Sequence, residues 1–121
     1  MGTILFVDNN PLRASVRTSI LANDATEVVR VLDAAEALCL VEGRDFAEKL
    51  SLVITEHIIP GISGSEFVAE LRTRLSHVPV LVLGAGAAKA DYDGISGVSH
   101  AEMNSPDELP SLASRLMAVK A

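Results

Sequence analysis

The chain has no tryptophan, one tyrosine, three phenylalanines and a single cysteine, and its basic residues are outnumbered by its acidic ones. A lone Cys39 excludes a disulfide framework. At 121 residues the chain forms one domain over residues 1–121, long enough to bury a single core without metals or cross-links. Ten Lys and Arg against sixteen Asp and Glu leave a net charge of -6, which argues against a nucleic-acid surface. No basic segment precedes an apolar one at the start, and the longest uncharged stretch, residues 78–88, is too short to span a bilayer. Met1-Gly2 lacks the Ser or Thr that a myristoylation signal places further on. Absent disulfides suit a reducing compartment, so the expectation is a cytoplasmic domain that binds neither membrane nor nucleic acid.

What the chain has is apolar residues, 49% of the total. They fall in short continuous runs, as strands covered by helices on both faces require. Residues 3–7 are one such run, stopped by Asp8-Asn9-Asn10-Pro11, where Asn10 suits a helix N-cap and Pro11 a first helical position. The following helix, over residues 11–22, places Leu12, Val16, Ile20 and Leu21 inward, with Arg13 and Arg17 elsewhere. A second strand spans 27–32, and Asp33 caps a helix carrying Ala37, Leu38 and Val41 that ends at Gly43. Residues 44–50 are amphipathic and add a turn or helix.

The third strand, 52–55, leads into the stretch around which the chain is organised, Glu56-His57-Ile58-Ile59-Pro60-Gly61-Ile62-Ser63-Gly64-Ser65-Glu66. A single carboxylate stands at the strand end, a Pro/Gly loop follows, and a helix then carries Phe67, Val68 and Leu71 inward. In an open parallel sheet, ligands and chemistry sit outside the carboxyl ends of the strands, which places Glu56 like a functional group. Residues 79–83 form a fourth strand and 97–101 a weaker fifth. Between them, Gly84 to Gly94 is rich in Gly and Ala, so the fourth helix is expected to be short. Asn104 or Ser105 with Pro106 starts the last helix, whose Leu109, Leu112, Leu116 and Val119 face inward. Five βα units in this order predict an α/β, flavodoxin-like (βα)5 three-layer sandwich with a five-stranded parallel sheet of order 2-1-3-4-5.

These residues carry a resemblance. Phe6-Val7-Asp8-Asn9-Asn10-Pro11 is similar to the acidic-pair motif of bacterial response-regulator receiver domains, and Glu56 to Glu66 resembles their phosphoacceptor motif, an Asp followed at fixed spacing by Pro, Gly and Glu. Val78-Pro79-Val80-Leu81-Val82-Leu83 and Ser105-Pro106-Asp107-Glu108-Leu109 match the fourth strand and the last helix entry, so the resemblance covers essentially the whole chain.

The resemblance implies phosphoryl transfer from a kinase histidine to an aspartate, helped by Mg2+ and a lysine, with a hydroxyl and an aromatic ring reading the result. Position by position, this chain departs from that pattern. The acidic pair is Asp8 and Asn9, one charge short, and the phosphoacceptor is Glu56, whose carboxylate stands one methylene further out. The switch hydroxyl aligns with Gly84. The lysine aligns with Ala101 or Glu102, depending on register, and the switch aromatic with Val98 or Ser99. Only Asp8 is unchanged.

The expectation is therefore a degenerate, pseudo-receiver variant of two-component signalling that is not an enzyme. It holds no cofactor, is not phosphorylated, and acts through contacts with a signalling kinase, an output domain or another receiver. The alternatives are a weak Mg2+-dependent phosphoacceptor, its metal held by Asp8, Glu56 and the His57 backbone carbonyl, or a small-molecule sensor in the altered pocket. Without the hydroxyl and the lysine, Glu56 is read as fixing one conformation rather than imitating a phosphorylated aspartate.

Other residues have blander readings. Arg13 is either a substitute cation or an exposed helix charge. His57 reads as a surface histidine, His77 as a helix C-terminal residue, and His100 as partly buried and hydrogen-bonded. Cys39 reads as a small core side chain. Tyr92 is either a partner contact or a packing residue. Gly84-Ala85-Gly86 lacks the rest of a nucleotide-binding fingerprint.

Overall fold

The computed structural model describes residues 2–21, 26–101 and 109–120. Five strands, β1 (Gly2–Val7), β2 (Thr26–Val31), β3 (Leu50–Glu56), β4 (Val80–Leu83) and β5 (Val98–Ala101), form one parallel sheet of order β2-β1-β3-β4-β5. The helices are α1 (Pro11–Leu21), α2 (Ala34–Val41), α3 (Arg44–Lys49), α4 (Gly64–Arg74) and α5 (Leu109–Lys120). The amphipathic residues 44–50 thus supply a helix of their own. In the fourth connection, the Gly/Ala-rich segment forms only a 3-10 helix (Gly86–Tyr92), as a short stretch interrupted by Gly84, Gly86 and Gly94 leads one to expect. The predicted start of the last helix, Asn104 to Pro106, lies outside the described residues.

Alternation along each strand sorts the core into two layers. Leu5, Val7, Val53, Val80 and Val82 pack with α2 and α4 through Ala37, Val41, Phe67, Val68 and Leu71. Ile4, Phe6, Leu52, Ile54, Leu81 and Leu83 face the other way, onto Leu21 of α1 and Leu109 and Ala113 of α5. This parity aims the site: continuing Ile4 and Phe6 brings Asp8 to the α1 side, and continuing Leu52 and Ile54 brings Glu56 there too.

Caps define two of the helices. Asp33 accepts the Glu36 N–H at 2.9 Å and opens α2 as predicted. Ser63 accepts the Glu66 N–H at 3.1 Å while its hydroxyl donates to the Glu66 carboxylate at 3.0 Å, an N-cap that starts α4 at Gly64. Arg72 ties the short fourth connection down. It donates to the carbonyls of Leu75 (2.8 Å) and Val78 (2.7 Å) before β4, and of Ser96 (2.8 Å) and Gly97 (3.3 Å) before β5.

Two expectations fail. Leu12 is 81% exposed rather than inward, because α1 turns Arg17 and Leu21, one helical turn apart, to the sheet instead. Cys39 is exposed, since α2 meets the sheet through Ala34, Ala37 and Val41.

Candidate functional site

At the carboxyl ends of β1 and β3, Asp8 (0% exposed) and Glu56 (2%) meet a third buried charge, Arg17 (3%), reaching in from α1. One guanidinium nitrogen, Nη1, lies 3.3 Å from Asp8 Oδ2 and is also ion-paired with Glu56 Oε1. The guanidinium carbon stands 6.0 Å from the centre of the buried Phe6 ring, at cation–π range. Asp8 is further fixed by the Asn10 N–H, which donates to Oδ1 at 2.9 Å, and by its own N–H, which donates to the Val31 carbonyl at 3.1 Å. Arg30, on β2, donates from Nε to the Asp8 carbonyl at 2.9 Å. The Thr55 hydroxyl donates to the Glu56 carbonyl at 3.0 Å.

Arg17 is the residue that sequence reasoning missed. Apolar periodicity sets Leu12 inward and Arg17 elsewhere, whereas α1 exposes Leu12 and turns Arg17 into the crevice. The signal available was its position four residues before the core residue Leu21, opposite two strand-end carboxylates. Arg13, the other candidate cation, has a side chain outside the described set.

The remaining predicted positions distribute as follows. Asn9 is exposed beside Asp8 and contributes no charge. Gly84 follows β4 with φ +76, a left-handed conformation that disfavours any residue carrying a side chain, and its N–H donates to the Ala101 carbonyl at 3.0 Å. Ala101, Val98 and Ser99 sit half-buried on β5. Glu102 lies outside the described residues.

A second cluster borders the crevice. His57 is half-buried, and its Nδ1 hydrogen-bonds the Tyr92 hydroxyl at 2.7 Å. Tyr92 is 2% exposed, so it is a packing residue and not an external contact. Its ring meets His57 and His100 edge-on, with centroids 5.7 and 5.2 Å away. His100 is partly buried as expected, but its Nδ1 has no hydrogen-bond partner among the described residues. Burial, with Lys89 and His57 nearby and Asp93 opposing, holds its imidazole below the usual histidine range. His77 is exposed, three residues beyond α4.

Burial, reinforced by Asp91, pushes the Tyr92 phenol up to about 12. A raised phenol favours the neutral ring in the fold. Its stabilising effect is therefore complete below the unfolded value near 10 and is lost as pH rises through about 12. As the sole tyrosine in a chain without tryptophan, Tyr92 gives an unobstructed absorbance titration. Tyrosinate should appear well above pH 10 in the folded protein, and ionisation at the free-tyrosine value of about 10 would contradict this burial.

The crevice does not fit a resident Mg2+. That ion takes near-octahedral oxygen ligands and keeps several of its waters. Here both carboxylates are engaged by a buried guanidinium, and among the described residues no three His, Cys, Asp or Glu side chains gather as a ligand set.

A family model described as "Response regulator receiver domain" matches residues 4–99. The chain is 31% identical over 117 residues to the transcriptional regulatory protein TcrA of Mycobacterium tuberculosis, covering 96% of this chain and 45% of that protein. It is 26% identical over 121 residues to the response regulator RppA of Synechocystis sp., covering 99% and 50%. The chain thus spans about half the length of these curated relatives. A receiver-domain crystal structure from Clostridium thermocellum superposes with a TM-score of 0.85 at 18% identity, covering 99% of this chain and 97% of that one. The chemotaxis response regulator CheY4 of Vibrio cholerae gives 0.82 at 20%, covering 96% and 98%; at such identities the likeness is one of fold. Among the described residues no helix is long and apolar enough to cross a membrane.

Proposed function

Because the chain belongs to the response regulator receiver domain family, we propose that it serves two-component signalling as a phosphorylation-independent receiver that works through protein contacts. The observation that carries this reading is the state of Glu56: the side chain at the phosphoacceptor position is buried and ion-paired with Arg17. A nucleophilic carboxylate has to approach an incoming phosphorus in line, and misplacement by about 1 Å is costly in rate, about 100-fold. Glu56 reaches one methylene further than aspartate and is engaged by the Arg17 guanidinium.

The readout parts are missing as well. Gly84 offers no hydroxyl, and the described lysine-equivalent candidate, Ala101, offers no cation. The sheet and the capped α4 entry are kept, which leaves the folded scaffold on which contacts with a kinase, an output segment or another receiver would be made. The name of one relative, a transcriptional regulatory protein, supports an output in gene control.

The test is titration with acetyl phosphate, or with beryllofluoride and Mg2+, followed by amide NMR. No saturable shifts are expected at Glu56 or Gly84. Saturable shifts there would establish the alternative, a receiver that still accepts phosphate.

A further inference from the structure

We infer that Arg17 is the crevice's own permanent cation, a tethered guanidinium that takes the position between Asp8 and Glu56 that a divalent ion would need and makes the domain metal-independent. The inference goes beyond the absence of phosphorylation, since a crevice can refuse a phosphoryl group and still bind metal.

Three observations support it. The first is charge placement: a single nitrogen of Arg17 touches both carboxylates, so one positive group serves two acidic ones as a bridging ion would. The second is enclosure. Arg17, Asp8 and Glu56 are all buried, and Phe6 lies against the guanidinium, so this is not a surface arginine that happens to swing past. The third is chemistry. A guanidinium is weakly hydrated and presents a flat fork of donors that suits carboxylates, whereas Mg2+ gives up its waters reluctantly. Between two buried carboxylates the arginine is the better-suited cation, and its attachment to α1 keeps its local concentration far above that of any free ion.

A structural consequence follows. Arg17 joins α1 to the ends of β1 and β3, so metal could enter only by displacing a buried, ion-paired charge. The two carboxylates are in this sense a latent divalent-cation site kept closed by one side chain.

Mn2+ alone, without a phosphoryl donor, tests this by paramagnetic broadening of amide signals and by thermal unfolding. In the wild-type protein, millimolar Mn2+ should neither selectively broaden Asp8, Glu56 and His57 nor raise the melting temperature. Arg17→Gln should bind Mn2+ roughly tenfold or more tightly than wild type, with saturable broadening at those residues and a melting temperature that climbs with metal. The double variant Arg17→Gln/Glu56→Gln should lose that response.

Selective broadening in the wild type would overturn the inference, as would a folded Arg17→Gln that ignores Mn2+. Should Arg17→Gln be unfolded without metal, recovery of its far-ultraviolet helical signal on adding Mn2+ supports the latent site, and failure to recover counts against it. A wild type that binds Mn2+ yet does not respond to acetyl phosphate would remove this inference and leave the proposed function standing.

Discussion

Replacing Arg17 by methionine is expected to lower the unfolding free energy by about 3–5 kcal/mol, the usual cost of removing one partner from a buried ion pair. The loss comes less from the missing attraction than from what remains: two carboxylates, both almost wholly shielded from water, without the guanidinium that faced them. Domains of this size hold only about 5–15 kcal/mol in total, so the variant should sit close to unfolding. The paired variant Arg17→Met/Glu56→Met separates the causes. It removes one positive and one negative charge together and fills the space with apolar volume, a change that is often neutral or favourable. It should therefore be more stable than Arg17→Met alone, although it carries one more substitution. Urea unfolding followed by circular dichroism gives both values, provided the slope against denaturant stays constant. A loss for Arg17→Met below about 1 kcal/mol, the range of exposed pairs, would show that the guanidinium is not bound as described.

The parts of the fold that depend on local pattern were legible in the sequence. Apolar runs bounded by turn residues gave all five strands, and the glycines that punctuate the short Gly84 to Gly94 segment foretold the poor fourth helix. Asp33 was a readable cap. The two carboxylates at strand ends were readable as well, because position along a strand fixes which end a residue occupies.

What escaped depends on rotation and on distant partners. In α1, Leu12 and Arg17 compete for the inner face. Apolar periodicity favours Leu12, but a charged residue can be turned inward when two opposite charges wait there, and no one-dimensional moment records that. The Tyr92 to His57 bond joins residues 35 apart in sequence, and Arg72 reaches carbonyls up to 25 residues away. Neither can be seen before the sheet brings these segments together. Cys39 failed for a simpler reason: a mostly apolar helix offers several possible inner faces, and small alanines won the one against the sheet.

Gly64→Ala is the second substitution expected to act strongly, and the reason lies in the same neighbourhood. A methyl group there would overlap the Tyr92 hydroxyl and come within 2.6 Å of the His57 carbonyl oxygen. Alanine ordinarily gains up to about 1 kcal/mol over glycine inside a helix, but Gly64 is the first residue of α4, where that gain is small. Overpacking typically costs about 1–3 kcal/mol, and one of the two obstacles is main chain that cannot rotate away, so the net effect should be destabilising. Tyr92→Phe removes the other obstacle. By itself it should cost about 1 kcal/mol through the lost bond to His57. In that background, however, Gly64→Ala should cost less than in the wild type, by at least about 0.5 kcal/mol, because the hydroxyl it would have struck is gone. A double-mutant cycle from urea unfolding measures the difference. Additivity within about 0.3 kcal/mol would mean that Tyr92 does not restrict position 64. Coupling would show that the glycine of the receiver-like motif is required here by the Tyr92–His57 pair.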